Sequence, residues 1–286
     1  MAQPQGWPDA PESLPRPVID SHTHLDVHDR SLHGQVPPDP EELLSWAAQV
    51  GVPKVVQIGC DVQSAEWSVP FAQRHPNVAA GVALHPNDAA RIGVRDGRAA
   101  LEAAWARIDE LARADVVHAV GETGLDYFRT PDAEGQAVQH DSFRWHIELA
   151  KELDKTLVIH DRDSHDDVIA LLLEQGAPRR VVFHCFSGDA SMARVCAEHG
   201  WFMSFAGVVT FGSAQGLRDA LLEVPDDLLL VETDAPYLTP KPLRGRVNAT
   251  YLMPWTVRRM AEERGADLAH LCDVLTANTF RAFGDW

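Results

Sequence analysis

Eight short apolar segments alternate with longer amphipathic segments along this 286-residue chain. Several of the apolar segments are rich in valine and isoleucine and have no polar face, which is typical of strands buried on both sides. We therefore predict eight β-strands, at residues 18–22, 54–59, 78–84, 116–121, 156–159, 180–183, 201–206 and 228–231.

The segments between the strands have helical periodicity. They predict helices at 40–50, 64–75, 98–114, 136–153, 164–175, 190–199, 214–223, 251–264 and 268–283. Alternating strands and helices indicate a parallel sheet, and eight such units in this length indicate a closed (β/α)8 TIM barrel. An open doubly wound sheet is the alternative. It would require a glycine-rich turn after the first strand, and the segment 20–26, Asp-Ser-His-Thr-His-Leu-Asp, is not such a turn.

The first 17 residues contain five prolines and lack the basic and apolar regions of a secretory signal. We expect residues 1–17 to form a flexible tail, followed by a single barrel domain over residues 18–286. Asp39 is a plausible N-cap and Pro40 is typical of the first turn of a helix, so we expect the first helix to begin at residue 40.

Composition limits the functional classes. No apolar run is long enough to span a membrane. The four cysteines are widely spaced, which favours free thiols in a cytoplasmic protein over disulfides. The formal net charge of −17 argues against broad, non-specific binding of nucleic acid, although a metal site can still attract a phosphate locally. Nothing in the sequence indicates an obligate protein partner.

Histidines and carboxylates follow the predicted strands at the end where TIM barrels carry their active sites. In a strand the side chains of residues i and i+2 lie on one face, so His22 and His24 converge. Imidazoles and carboxylates together suit divalent ions such as Zn²⁺ and Mn²⁺, and Mg²⁺ less well. Four imidazoles and two carboxylates are enough for two such ions, and the strand ends supply His22, His24, His160 and His184 together with carboxylates after the fourth and the eighth strand.

Six motifs that span most of the chain resemble those of the TatD family of metal-dependent deoxyribonucleases, within the amidohydrolase superfamily. They are Ile-Asp-Ser-His-Thr-His-Leu-Asp (19–26), Ala-Leu-His-Pro (83–86), Val-Gly-Glu-Thr-Gly-Leu-Asp-Tyr (120–127), Val-Ile-His-Asp-Arg-Asp (158–163), Phe-His-Cys-Phe-Ser-Gly (183–188) and Val-Glu-Thr-Asp-Ala-Pro-Tyr-Leu-Thr-Pro (231–240).

The resemblance implies a role for each candidate. His22, His24 and Asp234 would hold one metal ion, and His160 and His184 would hold the second. Glu122 would bridge the two ions, and Asp234 would also act as the general base toward a metal-activated water. His85 resembles a family histidine that lies near the substrate phosphate.

The resemblance also implies hydrolysis of phosphodiester bonds at the ends of DNA chains, in the 3′–5′ direction. The loop after the last strand departs from the family pattern Arg-Asn-Glu-Pro, because Ala249-Thr250 follows Asn248. Arg244 and Arg246 are candidate phosphate contacts near the site, or residues of a solvated basic loop. Arg162 is a candidate phosphate contact, or a residue that orients a ligand. Two alternatives stay open: hydrolysis of another ester or amide, such as a lactone or an aminoacyl ester, and a catalytically inactive interaction protein.

Overall fold

The computed structural model describes residues 7–27 and 38–286. Eight strands form one sheet in the order β1 to β8, and the strand pairs whose register is defined are parallel. The predicted (β/α)8 TIM-barrel fold is therefore confirmed. The strands are β1 (Ile19–Thr23), β2 (Lys54–Gly59), β3 (Val78–Val82), β4 (Val117–Asp126), β5 (Thr156–Arg162), β6 (Val181–Phe183), β7 (Phe202–Phe205) and β8 (Leu229–Val231).

Ten α-helices lie between and after the strands in the described residues. They are α1 (Pro40–Gln49), α2 (Val62–Arg74), α3 (Pro86–Arg95), α4 (Arg98–Ala112), α5 (Ala133–Glu152), α6 (His165–Gln175), α7 (Ala190–Glu198), α8 (Gln215–Glu223), α9 (Met253–Arg264) and α10 (Leu268–Phe283). The nine predicted helices are present, with ends shifted by up to three residues.

Helix α3 was not predicted from the sequence, for two reasons. Its N-cap is His85, which is not a usual capping residue, and it contains Gly93, a poor helix former. Tertiary packing explains this glycine, because a Cβ at Gly93 would lie 2.6 Å from Val138 Cγ1 of α5. The close approach of α3 to α5 therefore favours a residue without a side chain.

The chain divides into two compact units. The first unit comprises Met1–Val56 with Gly188–Arg281, and the second comprises Gln57–Ser187 with Ala282–Trp286. A single domain over residues 18–286 therefore stays a prediction.

In the first unit, β8 lies beside β1. Ser21 Oγ donates to the carbonyl of Val231 at 2.9 Å, and the N–H of Asp234 donates to the carbonyl of His22 at 2.9 Å. Ile19, Phe205 and Tyr251 are fully buried in the core of this unit. The last strand therefore returns to the first, as barrel closure requires.

Residues 7–17 pack within the first unit, unlike the expected flexible tail, and residues 1–6 lie outside the described residues. The side chains of Trp7 and Leu14 are buried, and the N–H of Leu14 donates to the carbonyl of Val50 at 2.9 Å. The Tyr251 hydroxyl donates to the carbonyl of Pro8 at 2.8 Å. Because prolines leave their carbonyls free to accept, a proline-rich segment can be held by donors from helices far along the chain.

In the second unit, β4 and β5 are longer than the apolar pattern predicted, by five and three residues at their C-terminal ends. Their parallel pairing continues into polar sequence, with Gly124 opposite His160 and Asp126 opposite Arg162. A Cβ at Gly124 would lie 2.1 Å from the His160 carbonyl oxygen, and the φ of Gly124 is +139°. Glycine is therefore required where β4 passes this close to β5.

His146 of α5 is a buried histidine to which the sequence assigned no role. Its Nδ1–H donates to the Ser142 carbonyl at 2.7 Å, and its Nε2 accepts the N–H of Leu84 at 3.1 Å. Both bonds require the neutral ring with the proton on Nδ1. Burial lowers the pKa of His146 to about 4, although the bond to Ser142 opposes the shift.

We expect the stability contributed by His146 to fall as the pH falls from about 6.5 to about 4. The unfolded chain, with an ordinary histidine pKa, binds the proton before the folded chain does in this window. The full loss is at most about 3 kcal/mol. Urea unfolding at several pH values should give a shallower loss of stability for His146→Asn than for the wild type. Parallel pH profiles for the two proteins would contradict this assignment.

The four cysteines are free thiols, as predicted. Among the described residues, no helix combines the length and the apolar character that crossing a membrane needs.

Candidate metal centre

The first ligand group consists of His22, His24 and Asp234, all in the first unit. The Nε2 atoms of His22 and His24 lie 3.2 Å apart, and His24 Nε2 lies 3.3 Å from Asp234 Oδ1. His22 Nε2 lies 3.9 Å from the same oxygen. Tetrahedral ligands at about 2.1 Å from one ion are separated by roughly 3.4 Å, so the spacing of these donor atoms fits one divalent ion.

The position of Asp234 depends on side chains outside the ligand group. Its backbone has a φ of +52°, which aspartate adopts more readily than most residues. The Asn248 side-chain amide donates to the carbonyls of Thr233 at 2.8 Å and Tyr237 at 2.5 Å, on either side of Asp234. Asn248, which aligns with the family motif, therefore fixes the loop that carries Asp234.

Asp20 supports the first ligand group through hydrogen bonds to His22 and Thr233. It is fully buried and accepts the N–H of Thr233 at 2.9 Å and the Thr233 hydroxyl at 2.5 Å. It also accepts the N–H of His22 at 3.3 Å. Burial raises the pKa of Asp20 to about 7, and the hydrogen bonds from Thr233 limit that rise. One carboxyl group thus joins the backbones beside two of the candidate ligands.

The second ligand group consists of Glu122, His160 and His184, all in the second unit. Glu122 Oε1 lies 2.8 Å from His160 Nδ1 and 3.2 Å from His184 Nε2. The two imidazole nitrogens lie 3.4 Å apart. The carboxylate and His184 are buried. This donor set also suits a divalent ion, because it combines nitrogen and oxygen ligands in a place that water reaches poorly.

Asp126 lies behind His160 and was not identified from the sequence. His160 Nε2 is 3.5 Å from Asp126 Oδ2, an ionic contact rather than a full hydrogen bond. Burial lowers the pKa of His160, but Asp126 and Glu122 more than offset it, so the pKa is raised. Burial would raise the pKa of Asp126, but contacts with His160 and Asn87 and the N–H of Arg129 hold it well below its usual range. An ionised Asp126 therefore favours a proton on Nε2 of His160, while Nδ1 faces Glu122.

His85 contacts the second ligand group as a hydrogen-bond donor. Its Nδ1 accepts the N–H of Asn87 at 3.1 Å, as the N-cap of α3. The proton of the neutral ring is therefore on Nε2, which lies 3.3 Å from Glu122 Oε1. Burial and the neighbouring His160 lower the pKa of His85, which favours this neutral form. His85, Glu122 and His160 are close enough to hold an ion together, but the cap bond makes His85 a donor instead of a ligand.

Each of the three candidate phosphate contacts lies at or beyond the end of a strand. The guanidinium of Arg162 lies 4.0 Å from the centroid of the Phe128 ring. Arg244 lies 4.5 Å from the centroid of the Phe211 ring, and Arg246 is exposed in the same loop.

Cys60 contacts a candidate ligand and, like Asp126, was not identified from the sequence. Its thiol donates to Glu122 Oε2 at 3.6 Å. No sequence pattern marks the cysteine, because it is distant from Glu122 along the chain.

The chain is similar to known proteins both in sequence and in fold. A family model described as TatD related DNase matches residues 19–284. An uncharacterized metal-dependent hydrolase, TatD of Mycobacterium tuberculosis, is 42% identical over 270 residues, which cover 93% of this chain and 98% of the relative. The uncharacterized metal-dependent hydrolase YabD of Bacillus subtilis is 33% identical over 267 residues, with the same coverage of each chain. The crystal structure of YJJV, a TatD homolog from Escherichia coli K12, is 26% identical and covers 93% of this chain and 97% of its own, with a TM-score of 0.81.

Proposed function

Because the chain belongs to the TatD family of metal-dependent hydrolases, we propose that it hydrolyses phosphodiester bonds at DNA ends as a 3′–5′ exonuclease. One observation carries the proposal. Nitrogen and carboxylate donors converge at ligand spacing within both ligand groups, as a metal-dependent hydrolase requires. A protein that served only as an interaction partner would have no need of that convergence.

We assign one divalent ion to each ligand group, as Zn²⁺, Mn²⁺ or Mg²⁺. A bridge by Glu122 between the two ions stays a prediction. Such ions supply a water that ionises near neutral pH and positive charge for the phosphate oxygens.

The residues of the chain have separate tasks in this proposal. Asp234, held by Asn248 and the His22 carbonyl, accepts the proton of the attacking water. His85 directs its Nε2–H at Glu122 from its cap position and so helps to orient that carboxylate, and a contact between His85 and the substrate stays a prediction. Asp20 and Asp126 do not touch the substrate, but they fix the backbone and the imidazole of the ligands.

A metal-reloading assay tests the proposal. The protein is stripped with a chelator, reloaded with Zn²⁺, Mn²⁺ or Mg²⁺, and incubated with single-stranded DNA labelled at its 5′ end. Progressive shortening from the 3′ end with at least one metal is the expected result. Absence of nucleotide release with every metal would contradict the proposal, and the same samples would then be assayed on a lactone and an aminoacyl ester. The cytoplasmic location and the lack of an obligate partner stay predictions.

We expect Arg244→Ala combined with Arg246→Ala to weaken binding of single-stranded DNA. Both side chains are exposed in the loop after β8, and each arginine that no longer neutralises a phosphate should reduce the slope of log K against log salt by about 0.7. Affinity is measured at several salt concentrations, with Arg95→Ala on an exposed helix end as the control. An unchanged affinity and slope would show that the loop is only a solvated basic segment.

A further inference from the structure

Phe128 has an unusual position for an aromatic side chain. It is 60% exposed, more than any other large hydrophobic side chain among the described residues. It lies two residues beyond the C-terminal end of β4, at the end of the barrel where the catalytic residues of such folds lie. A single exposed hydrophobic side chain is ordinary on a protein surface, so its neighbours decide whether it has a function.

Arg162 is the neighbour that gives Phe128 a defined setting. The Arg162 guanidinium lies 4.0 Å from the ring centroid, so the two groups are in cation–π contact. The backbone supports this pair, because the N–H of Tyr127 donates to the Arg162 carbonyl at 2.9 Å. The strand register also places Asp126 opposite Arg162. The β4–β5 ladder thus holds Arg162, and Phe128 follows in the turn directly after the ladder.

The pair lies near the second ligand group. Arg162 is two residues after His160 in β5 and therefore shares its face of the strand. Two residues of strand correspond to roughly 7 Å, so a substrate phosphate at His160 would leave the adjoining nucleotide within reach of Arg162 and Phe128.

In the part of the chain that the structure describes, Arg162 has no carboxylate oxygen within ion-pair distance, and Asp161 and Asp167 bind other groups. Asp161 binds His165 at 2.6 Å and the Ser164 hydroxyl at 2.8 Å. Asp167 accepts the Tyr127 hydroxyl at 2.5 Å. In a chain with a net charge of −17, a cation held on an aromatic ring beside the ligands is a local site for an anion.

We propose that Phe128 and Arg162 bind the terminal nucleotides of single-stranded DNA, with a base stacked on the ring and a phosphate on the guanidinium. This inference rests on the proposed function and specifies its substrate. A ring accepts the face of any base, so recognition is independent of sequence. A base paired and stacked within a duplex cannot reach the ring, so single-stranded or frayed ends are the preferred substrate. Arg162 contributes because its planar group can stack while its N–H edge binds phosphate.

Binding of an oligonucleotide with 2-aminopurine at its 3′ end tests the stacking. The chelator-treated protein is titrated in, and fluorescence quenching reports contact between the base and the ring. Phe128→Leu should weaken binding about tenfold, in the range that loss of one stacked base produces, whereas Phe128→Tyr should bind like the wild type. An oligonucleotide that lacks the terminal base should bind wild type and Phe128→Leu equally. Equal binding of the base-containing oligonucleotide to both proteins would overturn the proposal.

Kinetics and salt dependence provide the second test. In the metal-loaded enzyme, Phe128→Leu should raise KM for single-stranded DNA about tenfold with little change in kcat. Arg162→Gln should lower the salt slope of binding by about 0.7 for both oligonucleotides. If the wild type hydrolyses DNA and these variants match it, Phe128 and Arg162 do not bind the nucleotides, and the proposed function stands. If the wild type hydrolyses no DNA with any metal, the proposed function itself fails.

Discussion

Asp234→Asn is expected to lower kcat/KM for single-stranded DNA by about 10²- to 10⁴-fold, the range that loss of a general base produces. The change also replaces an anionic ligand that lies 3.3 Å from His24 Nε2 with a neutral amide. The side-chain volume at residue 234 is nearly unchanged, and the N–H of this residue can still donate to the His22 carbonyl. The loop should therefore keep its backbone conformation. The measurement is steady-state hydrolysis by metal-loaded enzyme, with metal content determined for each sample.

The control for this variant is Asp141→Asn. Asp141 is an exposed aspartate of α5 that pairs with Arg98 on the surface, so its loss should leave the rate unchanged. Hydrolysis by Asp234→Asn within threefold of the wild type would show that a different group takes the proton or that a contaminating nuclease is present. A low rate at full metal content would show that the variant loses proton transfer and not metal binding.

Asp126→Asn is expected to weaken metal binding by about 10- to 100-fold, the usual effect of removing the carboxylate behind a ligating histidine. Asp126 is buried and its Oδ2 lies 3.5 Å from Nε2 of His160, while Nδ1 of His160 faces Glu122. The amide can still bond Asn87 and the Arg129 N–H in part, so the fold should persist. Binding is measured by calorimetry with Zn²⁺ on the chelator-treated protein, together with the melting temperature.

Asp167→Asn is the matched control, because this half-exposed carboxylate binds Tyr127 and not a candidate ligand. We expect it to keep the wild-type metal affinity. If Asp126→Asn binds the metal as tightly as Asp167→Asn does, His160 is held in place without the help of Asp126.

The candidate ligands could be found from the sequence because each follows an apolar strand. The two-residue period of a strand placed His22 and His24 on one face, and their Nε2 atoms lie 3.2 Å apart. Asp126 escaped the same reasoning, because β4 was expected to end at residue 121. Pairing with β5 extends β4 by five residues. The extension includes Gly124, where a Cβ would collide with the carbonyl oxygen of His160.

His85 shows a second limit of sequence reasoning. Its motif suggested a group near the substrate, but the tautomer that makes it a donor depends on the amide of Asn87 at the start of a helix that was missed. The N-terminal segment shows a third limit. Its prolines suggested a tail, whereas Trp7 and Leu14 are buried and Pro8 is bonded by a tyrosine more than two hundred residues away.

The sequence by itself determined the alternation of strands and helices and the barrel, because the hydrophobic period is a local property of the chain, and its motifs identified the six candidate ligands. The tertiary structure alone decided that His160 and His184 share one oxygen of Glu122, that Asp126 stands behind His160 and that Arg162 lies on Phe128. These interactions join residues far apart in the sequence, and their geometry depends on strand register and on burial of charge, which no local pattern encodes.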